Sequence, residues 1–98
     1  MLALYVDFNS RERLPGGRQA VSIGLGRTNP AALEKKLRSG LRVLVYDEEI
    51  RCEGILRRGQ WAEGWVTDLI PETITELEDG EFDRLLALTK RSGMHIAE

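Results

Sequence analysis

The chain holds one cysteine (Cys52), one histidine (His95) and three prolines in 98 residues, and 6% of it is aromatic. A single cysteine excludes an internal disulfide and a cysteine cage for a metal. A single histidine, in the tail MHIAE, removes most zinc, Cys–His and Ser–His chemistry. An enzyme built from what is left would rely on carboxylates, a lysine or a bound metal. Asp47, Glu48 and Glu49 stand side by side in one turn, with no sequence signal of the raised proton affinity that a general acid needs. The six acidic residues between Glu72 and Asp83 lack the spacing of a calcium loop and read as a solvated linker. The expectation is therefore a protein that is not an enzyme, with no catalytic residue, no cofactor and no metal site.

Long apolar runs are also missing. None approaches the roughly 20 residues that cross a bilayer. The opening MLALYVDF carries Asp7 and has no basic region before it, so it reads as a first strand rather than a signal peptide. A cytoplasmic protein without membrane contact is expected. At this length one domain over 1–98 accounts for the chain, with residues 78–98 forming an acidic linker, a terminal helix and a tail. Apolar and charged fractions of 42% and 31% are those of an ordinary globular protein.

What is present is strand pattern, clearest from Gly40 to Val66. Three apolar runs, Leu41–Tyr46, Ile50–Leu56 and Trp61–Val66, are cut by Asp47-Glu48-Glu49 and Arg57-Arg58-Gly59-Gln60, the signature of an antiparallel meander. Gly54 inside the second run suggests a bulge or sharp bend. Upstream, Leu2, Leu4, Val6 and Phe8 alternate with other residues, as do Val21, Ile23 and Leu25. These two strands can pair as a hairpin with a long loop or join through a wide connection. Thr28 or Asn29 can cap a short helix over 30–39, with Pro30 at its first position and Gly40 at its end. Asp79 can cap a second helix over 81–91, with Phe82, Leu85, Leu86 and Thr89 as its apolar stripe. The fold class expected is mainly β with two helices: a small bent antiparallel sheet or barrel of five to six strands.

The residues Gly40, Val43, Val45 and Tyr46, then Glu53-Gly54-Ile55-Leu56, then Trp61, Trp65 and Val66 give a pattern that resembles Src-homology-3-like barrels, including the Tudor and KOW types, over roughly residues 40–77. The resemblance implies a strand order and a barrel, and no ligand.

Binding candidates come from the same stretch. Trp61 and Trp65, preceded by Arg57 and Arg58 and joined by Tyr46, can form an aromatic and basic surface. Such a surface suits extended peptides or stacked bases with their phosphates; alternatively, both tryptophans fill the barrel. Residues 1–44 carry eight basic and three acidic side chains, and residues 45–98 six and thirteen, which supplies a basic face if folding does not mix the halves. The segment Gly24 to Pro30 with Arg27 can face an anion, but it lacks the third glycine of a dinucleotide fingerprint and the Lys of a P-loop. A protein partner is thus the first expectation, RNA or DNA bound through the basic half with Arg57 and Arg58 the second, and a carboxylate-based enzyme the third. A homodimer through Phe82, Leu85 and Leu86 is compatible with the first.

Overall fold

Among the described residues the chain forms seven strands: β1 Ala3–Tyr5, β2 Glu12–Arg13, β3 Gln19–Ile23, β4 Arg42–Tyr46, β5 Ile50–Arg58, β6 Trp65–Leu69 and β7 Thr75–Glu76. They are followed by one α-helix, α1, at Glu81–Ser92. The computed structural model describes residues 1–59 and 64–92. The strands make one sheet in the order β1-β4-β5-β6-β3-β2, with β7 beside the start of β5, and the sheet is not closed. No described helix is long and apolar enough to cross a membrane.

β4, β5 and β6 form the expected meander in unbroken antiparallel register, Val43 opposite Gly54 and Leu56 opposite Thr67. Gly54 is therefore not a bulge. Its role is close approach: a Cβ there would run into the Thr67 methyl and lie 2.8 Å from the Asp68 carbonyl oxygen. After β6 the chain inserts a 3-10 turn, Pro71–Thr73, before β7 resumes pairing with β5. Across that gap the Thr73 hydroxyl accepts the Glu53 N–H at 2.8 Å, so a side chain takes the place of a ladder bond.

One face of the sheet carries the main core. Val43, Val45, Cys52, Leu56, Trp65 and Leu69 pack there with Leu4, Val6, Phe8, Val21, Ile23, Leu33 and Leu37. Each fully buried aliphatic side chain in such a core contributes about 1.5–3 kcal/mol. On the opposite face Ala3 and Tyr46 meet Leu85 of α1, with Tyr5, Leu44, Leu77 and Phe82 around them. The apolar stripe of α1 thus folds back onto its own sheet. Its start is tied by Glu81, whose carboxylate accepts the Glu78 N–H and the Arg51 guanidinium at 2.9 and 2.6 Å, in place of the Asp79 cap expected.

Two further expectations are corrected. The helix over 30–39 is a six-residue 3-10 segment, Ala31–Lys36, with Pro30 at its N-cap and Leu37 already extended. Neither Thr28 nor Asn29 caps it, because the Asn29 carboxamide is bonded elsewhere; Leu33 and Leu37 still reach the core. The first strand does not form a hairpin. β1 runs parallel to β4, and β2 runs antiparallel to β3. Between them the 3-10 turn Phe8–Ser10 carries the chain from one edge strand of the sheet to the other. Asp7 holds that turn by accepting from the Asn9 N–H and the Ser10 hydroxyl, both at 3.0 Å.

Candidate functional site

Of the sequence candidates among the described residues, only Arg58 and Trp65 come together. Tyr46 is fully buried under α1, where its hydroxyl lies 2.7 Å from Thr89 Oγ1. Trp65 is 5% exposed, in the main core; its Nε1 donates to Glu34 at 3.0 Å. Arg58 lies over the Trp65 ring at 4.2 Å and 3.8 Å from Glu34, so it lids the ring rather than presenting it. Arg57 points to the other face and donates to Asp68 at 2.8 Å. Trp61 lies outside the described residues, as does His95. Of the dimer candidates, Leu85 is buried within its own chain, while Phe82 and Leu86 are half-buried.

A different site emerges where the sheet fails to close. β1 and β3 face each other across a seam that no strand pairing bridges. At one end Asn29, 2% exposed, joins them: its Oδ1 accepts the Tyr5 N–H at 2.8 Å, and its Nδ2 donates to the Tyr5 and Gly24 carbonyls at 2.7 and 2.8 Å. At the other end the pairing of β2 with β3 stops at Glu12 opposite Ala20. Between the two lies a cavity of about 410 Å³, within the size range of ligand pockets. Tyr5, Val6, Asp7 and Ser10 line one side, Ser22, Gly24 and Leu25 the other, and Arg27, Thr28 and Asn29 the end. A second hollow of about 280 Å³ adjoins it through Tyr5, Arg27 and Thr28, and reaches Glu48, Phe82, Leu86 and Lys90.

Most polar groups around this seam are already engaged. The Asp7 carboxylate holds the 3-10 turn. Glu48 accepts the Tyr5 hydroxyl at 2.8 and 3.0 Å. That bond first, then burial and the charges of Glu48, Asp47 and Asp7, push the Tyr5 phenol up to about 12, so it stays protonated and is neither base nor nucleophile near neutrality. Asp47 accepts the N–H groups of Glu49 and Ile50. Among the described residues, Arg27 and Lys90 form no ion pair, and no group of three or more His, Cys, Asp or Glu side chains could hold a metal ion.

Arg27 and its neighbours stood out in the sequence as a strand-to-helix segment. Ser10 and Ser22 did not, because their meeting depends on how the segment after β1 is placed against β3. Compared with models of protein families, with curated proteins and with solved structures, the chain matches none.

Proposed function

We propose that this protein is a non-catalytic binding module for a protein partner, working in the cytoplasm, with the seam between β1 and β3 as its site. The observation that carries the reading is the seam cavity itself. It has apolar walls at Val6 and Leu25, its Asp7 carboxylate accepts internal hydrogen bonds, and Arg27 forms no ion pair among the described residues. A buried free thiol at Cys52 fits a reducing compartment.

The nucleic-acid reading has less support. Arg57 and Arg58 are held by Asp68, Glu34 and the Trp65 ring, and Trp65 offers no open face for a base. A homodimer through α1 would have to use Phe82, Leu86 and the 46% exposed Leu88, since Leu85 belongs to the chain's own core.

Selection of random peptides on the immobilised protein, followed by amide-resolved NMR titration, tests the proposal. Selected peptides should shift the amides of residues 5–10 and 22–28 and should lose binding to a Leu25→Asp variant. Peptides that bind elsewhere, or no binders at all, would reject it.

A further inference from the structure

We infer that the seam takes a small zwitterion, a free α-amino acid or dipeptide with an apolar side chain, whose ammonium lies on Asp7 and whose carboxylate lies on Arg27. This rests on the reading of the seam as a binding site and adds to it a small-molecule ligand that competes there with the partner. The ion pairs formed among the described residues all lie elsewhere: Arg18 and Arg57 with Asp68, Arg42 with Glu53, Arg51 with Glu81, and Arg58 with Glu34. At the seam, opposite charges are present and unmatched. Asp7 and Arg27 line one cavity without pairing. The adjoining hollow repeats the arrangement with Glu48 and Lys90. Asp7 accepts from the Asn9 N–H and the Ser10 hydroxyl, and Glu48 from the Tyr5 hydroxyl. These donors are neutral, so they leave the negative charge of each carboxylate unbalanced.

Charge balance and size select the occupant. A purely acidic or purely basic ligand meets one group of its own sign for each group of the other, whereas a molecule carrying both charges can satisfy both. The backbone closes the site at one end. Asn29 Nδ2 bridges the Tyr5 and Gly24 carbonyls, and its Oδ1 takes the Tyr5 N–H, so no strand adds there and the occupant is held by side chains. The cavity of about 410 Å³ lies near the lower end of ligand-pocket sizes, about 300–1,000 Å³, which suits an amino acid or dipeptide. Val6 and Leu25 wall its apolar side chain, and Ser22 and Thr28 add hydroxyls to the lining that can bond a carboxylate oxygen or a peptide group.

The test titrates the full chain with L-leucine, L-phenylalanine and leucyl-leucine under amide-resolved NMR, beside two singly charged analogues, N-acetyl-leucine and leucinamide. The zwitterions should shift the amides of residues 7, 10, 22 and 27. Each analogue should bind about five-fold more weakly than leucine, the scale of one exposed ion pair. Arg27→Ala should weaken leucine by about the same factor and remove its advantage over leucinamide. Asp7→Asn, which keeps an acceptor for the 3-10 turn, should remove its advantage over N-acetyl-leucine, while Lys36→Ala changes nothing. Leucine should also displace any peptide selected at the seam. Either analogue binding the unaltered protein as tightly as leucine would overturn the inference, whether or not the variants fold. So would zwitterions that leave the seam amides unmoved, or that fail to displace a seam-bound peptide. Selected peptides that still bind at the seam in those cases leave the module reading intact; if neither peptides nor zwitterions bind there, both readings fall.

Discussion

At Asn29 a carboxamide does what a neighbouring strand would otherwise do, closing the backbone groups of Tyr5 and reaching across to Gly24. Asn29→Ala should cost about 1–3 kcal/mol, the scale for leaving buried backbone groups unpaired. Asn29→Asp should cost at least as much, because it replaces the Nδ2 donor with an acceptor facing two carbonyls. Urea denaturation of both variants measures this. Gly54 is the opposite case, where nothing can be added: Gly54→Ala should lose about 1–3 kcal/mol through overpacking against Thr67 and the Asp68 carbonyl. At Thr67 something can be taken away. Its hydroxyl is fully buried with no hydrogen-bond partner, so Thr67→Val should raise stability by about 1 kcal/mol; a fall in denaturation midpoint would show that the hydroxyl has a partner in solution. None of the three roles was visible in sequence. Asn29 carries a local capping signature, and its real partner Tyr5 is 24 residues away. Gly54 was legible as special, but bulge and close approach look alike until the neighbouring strand is placed.

Among the elements, α1 was the most legible and its docking the least. The stripe of Phe82, Leu85, Leu86 and Thr89 follows from helical periodicity alone, whereas the sequence left open whether that stripe meets its own sheet or another chain. In the fold Leu85 sits against Ala3 and Tyr46. The one Thr89 proton is directed at the Ala3 or Leu85 carbonyl, so the Tyr46 hydroxyl is the donor to Thr89. Leu85→Asp is accordingly expected to lower Tm by the same amount at every protein concentration, as light scattering and thermal melts together would reveal; a loss of mass without loss of Tm would place the residue in a dimer interface. The meander β4–β5–β6 was legible because its strands are adjacent in sequence and separated by charged turns. The candidate surface built on it was not. An arginine lying over a tryptophan as a lid and an arginine displayed beside one have the same spacing, and only burial separates them. For the segment 30–39, apolar spacing identified the inward Leu33 and Leu37, but six residues without a side-chain cap settle into a 3-10 segment rather than an α-helix.

For the whole molecule, the opposite charges of the two halves become a mixed surface. Arg18 with Asp68, Arg42 with Glu53 and Arg58 with Glu34 each join a residue of the first 44 to one beyond or the reverse. The two tyrosines set the alkaline limit. Tyr5 is raised to about 12, chiefly by its bond to Glu48, and Tyr46 is raised by burial. Both folded-state phenols therefore hold their protons more tightly than the unfolded chain, whose value is 10.0. Their contribution is complete below pH 10 and is lost as pH rises from there through the folded values, so denaturation midpoints should be flat up to about pH 9 and fall by about pH 11. Tyr5→Phe should flatten part of that fall. A further consequence concerns the order of assembly. Because the first segment spans both edges of the sheet, its partners are made long after it: β1 waits for β4, and the Ala3 carbonyl waits for Thr89. During synthesis β1 leaves the ribosome before its partner β4 is made, and β4 then emerges with a bare edge until β1 returns to it. Non-local pairing of this kind slows folding and leaves strands open to mispairing. The strands that border the seam, β1 and β3, find their partners only once β4 and β6 have emerged, so the proposed binding site takes its shape late.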